Sequence, residues 1–285
     1  MIVIYDAAAK AFSSPGHPER PARISETVRM FQQQKHIQVE WDKPCEVSNR
    51  LLLRAHSARH LKRLEEKVDF DPDTPALPKI SEYARVSVGG ALAAMKAALG
   101  GKKAFSLMRP PGHHAERERA MGFCYLNQAA VCAEEALASA VMRVAVFDFD
   151  VHHGNGTENI LAENRDALYC SVHQFPCYPG TGRESRERCF NFPVPPESPA
   201  KDYLDACEAA LHRIHAWQPQ LLIVSAGFDA YHHDPLAQQK LDFGDFEKIG
   251  RWVREISIPA FSLLEGGYSG NLPDCILAYL KGWEG

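Results

Sequence analysis

VAVFDFDVHHGNG, residues 144 to 156, is the stretch that says most about the fold. It begins as a nearly continuous apolar run, which is typical of a strand buried on both faces of a parallel sheet. The run then passes into a polar loop that contains two glycines. In open α/β sheets, ligands bind beyond the carboxyl ends of the strands. The stretch therefore predicts a buried parallel strand that ends at a functional site.

The same arrangement recurs along the chain. Further β-rich runs lie at residues 2–5, 104–107, 168–173, 221–227 and 259–267, and most of them also run into polar loops. Ala-rich or amphipathic stretches with helical spacing separate them, at 86–99, 127–140 and 202–217. This alternation predicts an α/β fold with a central, mainly parallel β-sheet flanked by helices on both faces. Since no repeat or low-complexity linker divides the 285 residues, we expect a single domain over residues 1–285.

Composition argues against several classes of function. No apolar run approaches the ~20 residues of a membrane helix, and the N-terminus lacks a secretory signal pattern, so a cytoplasmic protein is expected. A formal net charge of -4 and the lack of a Lys/Arg run give no indication of binding to nucleic acid or an anionic membrane. The eight cysteines contain no C-x-x-C pair, so we expect mostly buried thiols.

Two carboxylates and an imidazole in the first stretch indicate a metal site. Asp148, Asp150 and His152 share one phase, so their side chains would point to one side while the strand lasts. Unpaired carboxylates in an apolar strand would be costly. Asp150 and His152 can chelate one ion, and Asp229 stands where the 221–227 strand runs out. Three protein ligands leave a position for water, as in catalytic zinc sites, and Fe2+, Co2+ or Mn2+ also suit these ligand types.

An adjacent pair of histidines supplies a candidate base. His113 and His114 follow the 104–107 run in a loop that two prolines stiffen. Histidine titrates near neutral pH, which suits proton transfer. Asp148 and Asn155 are available to fix the two ring orientations. The pattern indicates general acid-base chemistry beside the metal.

The sequence Glu265-Gly266-Gly267-Tyr268 ends the last predicted strand. Its two glycines let the backbone bend sharply and present the tyrosine. A tyrosine hydroxyl at this point could donate to a developing oxyanion. Alone, the motif fits a turn with a half-buried tyrosine equally well.

Taken together, these motifs resemble the histone deacetylase superfamily, which has the arginase-deacetylase fold and includes acetylpolyamine amidohydrolases. The resemblance spans nearly the whole chain. Its motifs, in family order, are HPERPAR (17–23), RPPGHHAERERAMGFCYLN (109–127), FDFDVHHGNGT (147–157), SVHQFPCYPGTG (171–182), SAGFDAYHHDPLA (225–237) and LEGGY (264–268). The forms RPPGHH and LEGGY are most similar to class II and bacterial members.

The resemblance implies that Asp150, His152 and Asp229 hold a zinc ion, and that a metal-activated water attacks an acylated primary amine. That amine would be acetyl-lysine in a peptide or protein, with an acetylpolyamine or another small amide as the alternative. A second alternative is a non-catalytic module that binds acylated ligands. The complete set of catalytic residues argues against such a module.

The resemblance also assigns the groups that handle protons. His114 matches the general base and His113 its electrostatic or acid partner, with Asp148 behind His113 and Asn155 behind His114. Tyr268 would polarise the scissile carbonyl. Class I members have an aspartate in place of Asn155, so the base strength of His114 is expected to differ from theirs.

Residues near the pocket mouth are implied in the same way. Gly122 would accept the substrate amide proton, while Phe123 and Tyr178 would flank a narrow acyl-lysine tunnel. Asp73 resembles a rim aspartate that orients a peptide backbone. Leu236 falls near a position where polyamine-selective relatives can carry an acidic residue, so it removes one reason to expect a polyamine.

The resemblance further implies one divalent ion and one structural monovalent cation. Potassium would lie near Asp148, Asp150, His152, Ser171 and Val172, mostly on carbonyl oxygens. The arginase branch instead binds two manganese ions through a D-x-H-x-D run and a later D-x-D pair. Here Gly154 and Tyr231 replace the second aspartates of those motifs, so a single divalent ion is expected.

Overall fold

In the computed structural model, which describes residues 1–285, eight strands form one sheet in which every pairing is parallel. The strands are β1 (Ile2–Ile4), β2 (Glu40–Asp42), β3 (Ala104–Ser106), β4 (Val144–Asp148), β5 (Ala167–Gln174), β6 (Cys189–Val194), β7 (Leu221–Ala226) and β8 (Ala260–Leu264). Their order across the sheet is β2-β1-β3-β8-β7-β4-β5-β6. The parallel sheet predicted from the sequence is confirmed.

Nine α-helices and one short 3-10 helix, Ala7–Lys10, accompany the sheet. The α-helices are α1 (Ala22–Gln33), α2 (Asn49–Ala55), α3 (Ala58–Arg63), α4 (Ile80–Leu99), α5 (Gln128–Leu137), α6 (Asn155–Leu161), α7 (Ala200–Trp217), α8 (Phe243–Glu255) and α9 (Leu272–Glu284). None of them is both long and apolar enough to cross a membrane. All eight cysteines are free thiols and six of them are buried, as expected.

Two separate apolar cores show that helices cover both faces of the sheet. Along β4, Ala145 and Phe147 belong to the core that α1, α7, α8 and α9 cover. Val144 and Val146 belong to the other core, which α4 and α5 cover. Successive strand residues point to opposite faces, so a strand buried on both sides is apolar throughout. This explains the continuous apolar run from which the fold was predicted.

The two strands at the edges of the sheet were not predicted. Strand β2 has the sequence EWD and all three of its residues are exposed. At the opposite edge, β6 contains Pro193, which an edge strand tolerates because it has only one neighbour to bond. Edge strands need little apolar sequence, so hydrophobic patterning does not detect them.

The four central strands bring the predicted site residues together. β3, β8, β7 and β4 are consecutive neighbours, and their carboxyl ends therefore meet at one edge of the sheet. The loops that leave them carry the tandem histidines, Tyr268, Asp229 and Asp150 in that order. The sheet topology alone thus places four separate sequence motifs at one location.

Strand β4 ends at Asp148, so Asp150 and His152 lie in the loop that follows it. The shared strand phase that we expected for these residues does not extend to them. Instead, the loop is shaped by its own carboxylates. The backbone N–H of His152 donates to Oδ1 of Asp150 at 2.9 Å, and that of Val151 donates to Oδ1 of Asp229 at 2.9 Å.

Candidate active site

A pocket of about 360 Å³ opens at the carboxyl ends of the central strands. Its lining comprises both tandem histidines, Tyr268, one metal-ligand candidate, the five predicted substrate contacts and two prolines: Pro18, Asp73, Pro111, His113, His114, Gly122, Phe123, His152, Tyr178, Leu236 and Tyr268. The structure therefore brings all five predicted substrate residues to one cavity. Pro18 and Pro111 also line it, and the sequence analysis assigned neither of them a contact with substrate.

Asp150, His152 and Asp229 converge at the floor of this pocket. One potential ligand atom from each lies within 4.8 Å of the other two, and all three residues are buried. Nδ1 of His152 is 3.0 Å from Oδ2 of Asp229 and 3.2 Å from Oδ1 of Asp150. Burial and the charge of Asp150 raise the pKa of Asp229. Two buried carboxylates held side by side favour a cation between them.

Two glycines leave space for the side chains of Asp150, His152 and Asp229, and their close approach to the carboxylates indicates whether an ion fits there. A Cβ atom on Gly266 would lie 2.1 Å from Oδ2 of Asp229 and 2.5 Å from Oδ2 of Asp150. A Cβ atom on Gly227 would lie 2.0 Å from Oδ2 of Asp150. The backbone N–H of Gly266 also donates to that oxygen at 2.7 Å. Two carboxylates and one imidazole in such a cradle form a donor set that fits a divalent ion.

The wall behind His113 carries negative charge. Nδ1 of His113 is 3.1 Å from Oδ2 of Asp148, which also accepts a hydrogen bond from the Tyr169 hydroxyl at 2.9 Å. Burial alone would favour the neutral ring, but the charges of Asp150 and Asp148 outweigh it and raise the pKa of His113 to about 10. These charges favour an imidazolium at His113 whose Nδ1–H donates to Asp148.

The wall behind His114 ends in an amide. Nδ1 of His114 is 2.8 Å from Oδ1 of Asn155, and Nδ2 of Asn155 donates to Oε1 of Glu116 at 2.8 Å. Because Glu116 engages the amide nitrogen, the amide oxygen faces the ring and accepts the Nδ1 proton. Burial and the charge of His113 hold the pKa of His114 well below its usual range. The ring is thus neutral, with a free lone pair on Nε2.

A buried acid that the sequence analysis gave no role holds the histidine loop in place. Oε2 of Glu265 accepts hydrogen bonds from the backbone N–H groups of Gly112 at 2.7 Å and His113 at 3.2 Å. The Ser225 hydroxyl donates to its other oxygen at 3.1 Å. Burial raises the pKa of Glu265 to about 7. Its position at the end of a wholly buried strand, like that of Asp148, was the signal that could have identified it.

Tyr268 stands opposite the histidines on a loop with a glycine-specific bend, since Gly267 has a φ of +113°. Its ring meets the ring of Phe123 edge-on, with 5.6 Å between centroids. The Arg23 guanidinium lies 4.8 Å from the Tyr268 ring centroid and donates to the carbonyl of Gly267 at 2.7 Å. Burial raises the pKa of Tyr268 well above its ordinary value, so the hydroxyl keeps its proton and can donate it.

Arg23 belongs to a buried ion-pair network that the sequence analysis missed. Glu19 lies 3.0 Å from Arg23 and also pairs with Arg109 through both carboxylate oxygens. Burial alone would raise the pKa of Glu19, but the charges of Arg109 and Arg23 lower it. The network ties the segment before α1 to the loops around the pocket. Its signal was the presence of charged residues in both the HPERPAR and RPPGHH motifs.

Aromatic rings narrow the pocket between floor and mouth. The ring of Tyr178 meets that of His114 edge-on at 5.1 Å, and Phe123 adopts a φ of +67° next to Gly122. A Cβ atom on Gly122 would lie 2.6 Å from Cδ2 of His114. Only glycine therefore fits where the backbone passes the base. Asp73 is exposed at the mouth, where its carbonyl contacts the ring of His17 at 3.1 Å.

Groups expected to surround a monovalent cation lie beneath the floor. Asp148 and Ser171 are register partners in β4 and β5. The Tyr203 hydroxyl lies 2.9 Å from the carbonyl oxygen of Val172 and 3.3 Å from that of Asp150. Two of the expected carbonyl ligands are thus close together. The cation itself stays a prediction.

Comparison with known proteins gives consistent results. The chain matches the family model described as a histone deacetylase domain over residues 17–282. It is 36% identical to the histone deacetylase-like amidohydrolase of Pseudomonas aeruginosa, with 96% of this chain and 78% of that protein covered.

Solved structures extend the likeness to the fold. The HDA15 HD domain superposes with a TM-score of 0.91 and 30% identity, covering 100% of this chain and 91% of that one. An acetylpolyamine aminohydrolase from Burkholderia pseudomallei superposes with a TM-score of 0.87 and 27% identity, covering 99% of this chain and 98% of that one. The predicted arginase-deacetylase fold is confirmed.

Proposed function

Because this chain belongs to the histone deacetylase family, we propose that it removes an acyl group, most simply acetyl, from the side-chain amine of an acylated lysine in a peptide or protein. One observation carries this proposal. The neutral ring of His114, oriented by Asn155, faces the same pocket as the buried trio of Asp150, His152 and Asp229. A base beside a three-ligand metal floor is the arrangement that amide hydrolysis by an activated water requires.

Asp150, His152 and Asp229 are proposed to hold one Zn2+ ion, with Fe2+ or Co2+ as alternatives. Such an ion supplies Lewis acidity toward a water molecule and the amide carbonyl. A structural K+ beneath the floor would neutralise part of the carboxylate charge there. Metal analysis tests the count, since two tightly held divalent ions together with urea release from guanidino substrates would indicate arginase-type chemistry instead.

The proton transfers are assigned to the tandem histidines. Nε2 of His114 accepts a proton from the attacking water, because Nδ1 is committed to Asn155. His113, whose pKa Asp150 and Asp148 raise, would supply positive charge that stabilises the oxyanion developing on the substrate carbonyl. As the carbon-nitrogen bond breaks, a proton from the histidine pair passes to the departing amine. The products are a carboxylate and a free primary amine.

Other pocket residues would bind and orient the substrate. The Tyr268 hydroxyl donates to the developing oxyanion, and the carbonyl of Gly122 accepts the amide N–H. Phe123 and Tyr178 enclose a thin aliphatic stem such as that of lysine. Asp73 at the mouth can accept backbone N–H groups of a bound peptide. This geometry favours a short acyl group on a long, unbranched amine.

Hydrolysis of an acetylpolyamine is the second candidate. It is supported by the structural likeness to the Burkholderia pseudomallei acetylpolyamine aminohydrolase. The exposed carboxylate of Asp73 at the mouth would attract the second ammonium group of a polyamine just as it would bind a peptide. Leu236, also at the mouth, offers no such charge and favours the peptide.

A turnover panel tests the proposal. Acetyl-lysine peptides, acetylpolyamines and longer acyl-lysine peptides would each be incubated with the Zn2+ and Fe2+ forms, with Tyr268→Phe as the matched inactive control. We expect the highest kcat/KM with acetyl-lysine peptides. Polyamine turnover far above peptide turnover would instead support the second candidate. Amine release by the native chain no faster than the uncatalysed reaction on every substrate would contradict both.

A further inference from the structure

One buried carboxylate outside the metal floor links the loop that carries Asp229 to the loop that carries Tyr268. Asp234 lies between β7 and α8 and is 7% exposed. Its Oδ2 accepts hydrogen bonds from the backbone N–H groups of Tyr268 at 2.6 Å and Ser269 at 3.1 Å. Its Oδ1 accepts one from the N–H of Leu236 at 3.0 Å. A single side chain therefore fixes three backbone groups on two loops.

The loop around Tyr268 needs such an anchor. Beyond Glu265, whose N–H donates to the carbonyl of Ala226 at 2.9 Å, the segment between β8 and α9 has no regular secondary structure, so the N–H groups of Tyr268 and Ser269 have no partners from a helix or a sheet ladder. The bend at Gly267 requires a positive φ, and Arg23 holds this segment only through carbonyl oxygens, those of Gly267 and Glu265. Asp234 supplies the bond at the N–H of Tyr268 itself. The backbone from which the phenol projects is thus set by this carboxylate.

The same carboxylate also sets part of the pocket mouth. Leu236, whose N–H it accepts, lines the pocket together with Tyr268. Two walls of one cavity, on loops that leave different strands, are therefore fixed relative to each other through Asp234. Asp234 therefore links Tyr268, the proposed oxyanion donor, to Leu236 at the pocket mouth.

We propose that Asp234 is a positioning residue that places the Tyr268 hydroxyl for oxyanion stabilisation and holds Leu236 in register with it. The inference rests on the proposed function, because the position of the phenol matters only if it acts on the substrate. Oxyanion donors act only at short range and in the right direction. A displacement of about 1 Å in such a site can cost on the order of 100-fold in rate.

Asp234→Asn tests this role with little change in size. An amide has one accepting oxygen, so it cannot serve the N–H groups on both loops at once. We expect kcat to fall about 10- to 100-fold, with KM within about 3-fold of the native value because Phe123 and Tyr178, which enclose the substrate stem, lie on loops that Asp234 does not hold. Asp245→Asn is the matched control, since Asp245 also accepts a backbone N–H, at the start of α8 and away from the pocket. It should leave both kinetic constants unchanged.

A double-mutant cycle distinguishes positioning from a general structural effect. If Asp234 acts through the phenol, Asp234→Asn should cost less than about 3-fold when introduced into Tyr268→Phe. Faster hydrogen exchange over residues 265–271 in Asp234→Asn, with unchanged metal content, would support the same conclusion without an activity measurement. Should Asp234→Asn fail to fold, Asp234→Glu keeps the charge and serves in the same cycle.

The outcomes separate this inference from the proposed function. Loss of activity in Tyr268→Phe combined with full activity in Asp234→Asn would overturn the inference alone. Multiplicative losses in the double mutant would also overturn it, because Asp234 would then act independently of the phenol. Full activity of Tyr268→Phe would overturn the role of the phenol and the inference with it, whereas no amine release by the native chain from any acylated amine would overturn the proposed function.

Discussion

Behind His113 stands a carboxylate, whereas behind its neighbour His114 stands an amide. The contacts have similar lengths, 3.1 Å from His113 to Asp148 and 2.8 Å from His114 to Asn155. The pKa of His113 is raised to about 10, chiefly by the charges of Asp150 and Asp148, while burial and the charges of His113 and His152 hold that of His114 well below its usual range. Two rings whose centroids are 4.0 Å apart thus have pKa values that are shifted in opposite directions.

This difference shows how one dipeptide can supply both an acid and a base. A cation at His113 disfavours a second positive charge on His114, which keeps His114 available to accept a proton. The order of the two roles follows from the burial and the charges around each ring, to which the groups behind the rings contribute, and not from the rings themselves. Changes to those groups should therefore alter the roles in a predictable direction.

Removal of the base is expected to have the largest effect. His114→Ala should lower kcat by about 10²- to 10⁴-fold, the range typical of a general base, while metal content stays unchanged. His113→Ala should cost less, because it removes stabilising charge and leaves the neutral base in place. Single-turnover rates with an acetyl-lysine peptide measure both. If His113→Ala were inactive and His114→Ala nearly native, the assignment of the two roles would be reversed.

Exchanging the two partner groups is expected to shift the pH profile in opposite directions. Asn155→Asp places a carboxylate at Nδ1 of His114, which stabilises the imidazolium and raises its pKa. Because His114 must be neutral to accept a proton, the acid limb of kcat/KM should move to higher pH. Asp148→Asn removes charge beside His113 and lowers its pKa, so the alkaline limb should move to lower pH.

The control for this experiment is a measurement of metal content across the same pH range, which separates loss of a proton-transfer group from loss of the ion. An acid limb that stays at the native pH in Asn155→Asp would mean that His114 is not the titrating base. If the acid limb in Asn155→Asp and the alkaline limb in Asp148→Asn moved in the same direction, Asn155 and Asp148 would not each act on a separate histidine ring.

How far the sequence predicts this arrangement depends on the strand that supplies each residue. β4 and β7 are buried on both faces and read as apolar runs, so Asp148 and Asp229 could be placed at strand ends without a structure. The identity of Asn155 was also visible. Its orientation was not, because that depends on Glu116, a contact between separate loops.

Contacts between distant segments explain the other omissions. Glu265 and Glu19 act on the pocket through partners 90 to 153 residues away in sequence. Such pairings depend on the sheet order, which periodicity does not provide. The backbone conformation of Asp150 and His152 was predicted wrongly for a different reason. Hydrogen bonds in a loop, not strand geometry, place these residues.

Removal of the side chains that hydrogen-bond to Asn155 and to Asp148 is expected to have the smallest effect. Glu116→Ala releases the amide nitrogen of Asn155 and lets the amide turn, whereas Glu116→Gln keeps an accepting oxygen and serves as its control. Tyr169→Phe removes the hydroxyl that donates to Asp148. Loss of one hydrogen bond of about 1 kcal/mol corresponds to about a 5-fold change in rate.

Steady-state kinetics should therefore show a several-fold decrease in kcat for Glu116→Ala and for Tyr169→Phe, and near-native values for Glu116→Gln. A decrease in Glu116→Gln as large as that in Glu116→Ala would mean that the charge of Glu116, and not its hold on Asn155, is what matters.

A metal titration of acyl-group release tests whether deacylation requires one divalent ion at the site of Asp150, His152 and Asp229. Chain stripped of metal would be titrated with Zn2+ while acetate release from an acetyl-lysine peptide is measured, with Asp229→Ala in parallel. We expect no turnover without metal, recovery that saturates at one ion per chain, and no recovery in Asp229→Ala. Full turnover by the metal-free chain, or full recovery in Asp229→Ala, would contradict this requirement.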